Sequence, residues 1–148
     1  MNKIAIFLAV SVLTAGPALA SDKGDIMAVL KQWISSEAGS VAACADDAAV
    51  IDDLPPFEWH GPGACSRWQK DAEAFDKQEG ATDTAGTMGD PQQFVISGDR
   101  AYVVLPTTFA FTQKGKRVKE AATSTLVLHK TAVGWRITAW TWATQTVQ

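Results

Sequence analysis

The residues of this chain whose types and spacing could do chemistry gather in one stretch, "VIDDLPPFEWHGPGA" at positions 50–64. Asp52 and Asp53 are adjacent carboxylates, and His60 has an ordinary pKa close enough to neutrality to exchange a proton. An aspartate held among apolar side chains has its charged form desolvated and its pKa raised, which is what a proton-abstracting carboxylate needs. Asp52, with His60, is therefore the catalytic candidate. The same stretch also suits a stiff connection. Pro55-Pro56 restricts the backbone, and Gly61, Pro62 and Gly63 turn the chain into a helix. As a strand, "FEWH" puts Phe57 and Trp59 on one face and Glu58 with His60 on the other.

Two cysteines, Cys44 and Cys65, are too few for a zinc site and form no C-x-x-C pair. Either they bridge, closing a loop of about 20 residues for roughly 3 kcal/mol, or they are two small buried thiols. His129 is distant from His60 in sequence, so neither a metal nor a cofactor is expected. The one basic cluster, Lys114, Lys116, Arg117 and Lys119, straddles a glycine-marked turn with no interleaved aromatic, and reads as a solvated hairpin tip. The acidic balance of the rest argues against a nucleic-acid partner.

The elements that must position these residues begin after a leader. Residues 1–20 carry Lys3, an apolar run from Ile4 to Leu13, and Ala18 and Ala20 in the A-x-A pattern of a cleaved signal peptide. Cleavage after Ala20 predicts a periplasmic or secreted domain over 21–148 with no membrane attachment, and shifts the formal net charge from −3 to about −4 by removing Lys3. Such a length is that of one ordinary domain. Apolar residues at helical spacing predict a first helix over 25–38, stopped by Gly39, and a short second helix, "VAACA", capped by Ser40. A third helix starts near Pro62, carries Cys65, Trp68, Ala72 and Phe75 as its stripe, and ends at Gly80. Strands follow from "QQFVIS" to "GWRITAWTWAT". In the last of these, Trp135, Ile137, Ala139 and Thr141 are expected on one face, and Arg136, Thr138, Trp140 and Trp142 on the other. Helices in the first half and antiparallel hairpins in the second predict an α+β fold.

This order over residues 24–145, with its closing "GWRITAW", resembles the nuclear transport factor 2 superfamily, which includes ketosteroid isomerases and SnoaL-like polyketide cyclases. "DDLPPFEWHGPGA", "GDRAYVVLP" and "GWRITAWTW" are similar to a bacterial group in it without an assigned reaction. The resemblance implies a cone-shaped, strongly curved antiparallel sheet around three N-terminal helices, with an apolar cavity between them and a homodimer built on the other sheet face. In ketosteroid isomerase the pattern A-D-D-A-x-V-x-D ends in the general base. "ADDAAVID" places Asp52 there, whereas Trp33 and Ser124 stand near the positions of that enzyme's two oxyanion donors and are neither tyrosine nor acid. The cavity is then expected to be lined by Trp33, Asp53, Trp59, Trp68, Tyr102, Ser124, Thr125 and Thr141.

Three functions fit this reading: an exported protein binding a small hydrophobic or aromatic ligand, a small isomerase, dehydratase or hydrolase using Asp52, and a non-catalytic dimeric interaction module. Fold alone does not choose among them.

Overall fold

The computed structural model describes residues 17–148; the leader's apolar core, Ile4–Leu13, lies outside the described residues. Helix α1 (Pro17–Ser35) buries Ile26, Val29, Leu30 and Trp33, the spacing of one helical face. It ends sooner than its periodicity predicts, because Ser36 starts α2 (Glu37–Ala43): the Ser36 Oγ accepts from the Gly39 N–H at 3.0 Å. Gly39 therefore lies inside α2 and is not the stop of α1. Its missing side chain has a packing reason, since a Cβ there would collide with the Gln32 carbonyl of α1.

After α2 come β1 (Cys44–Ile51), β2 (Glu58–His60), α3 (Ala64–Glu79), β3 (Ala81–Met88), β4 (Gln93–Ser97), β5 (Arg100–Gln113), β6 (Lys116–Thr131) and β7 (Gly134–Val147). Gly80 closes α3 in the left-handed region, its N–H reaching the Asp76 and Lys77 carbonyls. The strands form one curved, unclosed sheet in the order β2-β1-β7-β6-β5-β3, with β4 also on β5. The fold is α+β, as expected, and its sheet is mixed: β1 runs parallel to β7, while the other pairs are antiparallel. Strand β3, "ATDTAGTM", has no counterpart in the sequence reading. It runs beside α1 at Gly86, where a Cβ would stand 2.9 Å from Ile34 Cδ1.

One sheet face packs on the helices. It carries Val103 and Leu105 of β5, Ser124, Leu126 and Leu128 of β6, and Trp135, Ile137 and Trp140 of β7, all buried. The last three do not alternate strictly. Opposite Leu128 and Val127 on β6, β7 advances from Ile137 to Ala139, so Thr138 is an extra residue and the strand's later side chains switch faces. Trp140 and Trp142 therefore join Trp135 and Ile137 on the inner face, which corrects the division read from period two alone. Each large side chain so buried contributes roughly 1.5–3 kcal/mol.

Candidate functional site

Inner positions of β1 are Ala48 and Val50, both fully buried. Asp52 follows two residues on and keeps that direction. Beside it, β7 presents Trp140 opposite Val50, and Thr141 opposite Ile51. Across the gap α3 supplies Trp68, whose Nε1–H donates to Asp52 Oδ2 at 3.0 Å; the Leu54 backbone N–H donates to Oδ1 at 2.9 Å. The Trp68 ring stands edge-on to Trp140 with centroids 4.6 Å apart, and Trp33 from α1 meets Trp140 at 5.4 Å. Trp68 thus touches the carboxylate, Trp140 packs behind Trp68, and Trp33 behind Trp140.

That carboxyl is pushed up to about 6. Burial is the main cause; the neighbouring Asp53 adds hydrogen-bonding and charge repulsion, and the hydrogen bonds from Leu54 and Trp68 oppose them. Further acids extend the negative field. Burial raises Glu120 on β6, helped by Asp53 and Asp76, and burial raises Asp76 on α3, helped by Glu37. Among the described residues, none of the ion pairs involves these carboxylates. An acid with a pKa near 6 and an aromatic surround can accept a proton from a weakly acidic C–H, O–H or water at neutral pH.

The remaining candidates divide sharply. Trp33 and Trp68 belong to the site, and Ser124 lies on the inner face, buried, sharing a 2.9 Å hydrogen bond with Thr107. Asp53 is exposed beside Asp52. Trp59 is buried away from it, donating to Asp71 Oδ2 at 2.8 Å on α3. His60 does not reach Asp52: it is exposed, pairs with Glu58 at 3.2 Å, and lies opposite Ala49 in the β1·β2 ladder. Alternation holds within β2 and carries His60 outward, but Phe57, expected on the face of Trp59, precedes the strand at a φ of 78° and is exposed. Tyr102, Thr125 and Thr141 are also corrections. They point to the outer sheet face, Tyr102 is 41% exposed, and the Thr125 N–H donates to Thr141 Oγ1 at 3.4 Å. His129 pairs with Asp99 at 2.9 Å, remote from Asp52.

Trp140 is the member of the site that the lining set omitted. Its indole N–H is buried without an acceptor, and the strand irregularity that brings it inward leaves no mark in the sequence. Cys44 and Cys65 are bridged. A hollow of about 240 Å³ lies over the bridge, and another of about 480 Å³ lies between α2 and α3; neither is lined by Asp52.

No protein-family model matches the sequence, and no curated protein sequence does either. Solved structures do match the fold. An NTF2-like protein with a cystatin-like fold from Novosphingobium aromaticivorans is 13% identical, with a TM-score of 0.71 over 86% of this chain and 84% of that one. An NTF2-like superfamily protein from Salmonella enterica is 12% identical, with a TM-score of 0.70 over 86% and 94%. A hexachlorocyclohexane dehydrochlorinase, LinA type 2, is 11% identical, with a TM-score of 0.65 over 88% of each chain.

Proposed function

We propose that this chain, which has the NTF2-like fold, is an exported protein that binds a small hydrophobic or aromatic molecule against Trp33, Trp68 and Trp140, with Asp52 at the polar end of the ligand. The observation that carries this reading is the Asp52 carboxylate itself, desolvated, without a cation and walled by indoles. Such a group is costly to the folded state unless a ligand uses it. The reading places the ligand toward the half-buried inner residues Phe109, Phe111, Glu120 and Trp142, since the deeper positions are filled. The leader and the bridge both suit export to an oxidising compartment.

A second reading follows from the same carboxylate: Asp52 is the general base of an isomerase, dehydratase or hydrolase. LinA, a dehydrochlorinase of this fold, is a precedent for chemistry on the scaffold. Titrating the protein with small aromatic compounds while following the indole N–H resonances tests both. Binding should move the Trp33, Trp68 and Trp140 signals and spare Trp135, which is already held by Asp22. Shifts spread evenly, or none, would contradict the site. With a turned-over substrate in hand, Asp52→Asn should abolish turnover and retain binding. The outer face bearing Tyr102, Thr125 and Thr141 is assigned to a homodimer; a monomer mass by light scattering at micromolar concentration contradicts that assignment.

A further inference from the structure

Helix α3 holds the Asp52 site from one side, yet it is weakly attached by its own packing. Only Ala64 and Cys65 of its residues are buried, Phe75 of its expected apolar stripe is 43% exposed, and its N-terminus has no side-chain cap. Trp68, half-buried against Trp140, is the one larger α3 side chain packed on the core, so apolar burial away from Trp68 fixes the position of α3 poorly. Beside the hydrogen bond from Trp59 of β2 to Asp71, two links to β1 make up for this. At one end the disulfide joins Cys44, the first residue of β1, to Cys65 in the first turn of α3, with Cα atoms 6.5 Å apart. At the other, Trp68 reaches Asp52, just past the last residue of β1, at 3.0 Å. Cys65 and Trp68 are three residues apart in α3 and so share a helix face. The Gly63 N–H, donating to the Asp46 carbonyl at 2.7 Å, ties the same junction.

We infer that the Cys44–Cys65 bridge is a positioning device for the Asp52 site: only in the bridged protein does α3 seat the Trp68 indole over the Asp52 carboxylate. The inference rests on the reading of Asp52 as the functional carboxylate. It makes the site a product of oxidation, complete once the chain has reached a compartment where thiol–disulfide exchange with a disulfide-bearing oxidant forms the bridge. Reduction reverses this. Both half-cystines line the 240 Å³ hollow, with Cys44 half-buried and Cys65 3% exposed.

The test compares the purified protein before and after reduction by dithiothreitol. That dithiol gives up two electrons and two protons and closes its own ring disulfide, while Cys44 and Cys65 become thiols. Three signals are read: far-UV circular dichroism for the fold, the Trp68 indole N–H resonance, assigned by its loss in Trp68→Phe, and the NMR titration of the Asp52 carboxyl carbon. The expected result is a retained fold, a displaced Trp68 resonance, and an Asp52 midpoint that falls from about 6 toward the ordinary value, because burial is the largest cause of its elevation and a loosened Trp68 admits water. A Cys44→Ala/Cys65→Ala double variant, which needs no reductant, should give the same three signals. A lower melting temperature with the Trp68 resonance and Asp52 midpoint unchanged would overturn the inference, leaving the bridge a simple staple. Loss of the fold on reduction in both forms would overturn it too, since the bridge would then hold the whole domain. An ordinary Asp52 midpoint in the oxidised protein removes the functional reading of Asp52 itself, and is recognisable because no reduction is involved.

Discussion

Three aspartates among the described residues accept an indole N–H, and two of them, Asp22 and Asp52, end in opposite electrostatic states. At the β6–β7 hairpin, Asp22 of α1 accepts from Trp135 Nε1 at 3.1 Å and from Lys130 Nζ at 2.6 Å. At the end of β1, Asp52 accepts from Trp68 Nε1 at 3.0 Å, but its nearest charged neighbour is Asp53. Lys130 and Trp135 hold the Asp22 carboxyl below the usual range, whereas burial and Asp53 push Asp52 up to about 6. Asp22 is only 8% exposed, yet Lys130 and Trp135 outweigh its burial, whereas at Asp52, which has no cation, burial prevails. Asp22 anchors a helix to a hairpin; Asp52 is held charged against its surroundings, and that is the arrangement a structural role does not call for.

The two sites should therefore respond to pH in opposite senses. Asp52 has a folded pKa above its unfolded value, so its contribution to stability is fully present below about pH 4 and is lost as the pH rises through about 6. The loss is of the order of 3 kcal/mol. Asp22 has a depressed folded pKa, so its contribution is present above about pH 4 and disappears as the pH falls through that lowered value. Asp52→Asn should abolish the first dependence and raise the denaturation free energy at pH 7 by as much as about 3 kcal/mol, the largest effect expected here. Denaturant melts of both proteins at pH 4 and pH 7 measure it; equal stabilities at pH 7 would place Asp52 with Asp22 as a structural carboxylate.

Trp68→Phe sharpens the comparison, because it keeps an aromatic ring over Asp52 and deletes only the donor. The Asp52 midpoint should move above 6, with a stability loss of about 1 kcal/mol for one hydrogen bond. NMR titration of the variant reads the first and chemical denaturation the second. This upward move is opposite to the one expected on reducing the bridge, where water replaces the ring.

Smallest of all should be the effect of Lys130→Met. Its ammonium is half exposed, at 47% of the side chain, and the Trp135 donor to Asp22 remains. The melting temperature should fall slightly at pH 7, and by less once the pH drops through the lowered Asp22 value, and the Asp22 carboxyl should return toward the ordinary range. A fall that stays the same after Asp22 has been protonated would show that Lys130 acts through its apolar stem and not through its charge.

Much of the fold was legible in the sequence because its signals are local. The apolar spacing of α1, the glycine ending α3 and the turns between the long strands each reside in a few neighbouring residues. Asp52 was singled out differently, through the resemblance of "ADDAAVID" to the ketosteroid isomerase pattern. What surrounds it was not legible. Trp68 lies 16 residues away and meets Asp52 only because α3 crosses β1. Trp140 faces inward because of one extra residue at Thr138, and period-two alternation carries no sign of such an irregularity. The same irregularity misplaced Thr141, while Tyr102 and Thr125 were misplaced because alternation groups residues by face without saying which face the helices cover. Strand β3 was missed because "ATDTAGTM" carries threonines but no valine, isoleucine or aromatic residue, and it is an edge strand of mostly exposed residues.

The claim on which the account turns is that Asp52 carries a raised, uncompensated charge in the resting, oxidised protein. An NMR titration of its carboxyl carbon, assigned with Asp52→Asn, measures this directly. The account predicts a midpoint near 6. A midpoint at or below about 3.9, the value of a free aspartate, would contradict it and leave Asp52 as the polar trim of a tight connection.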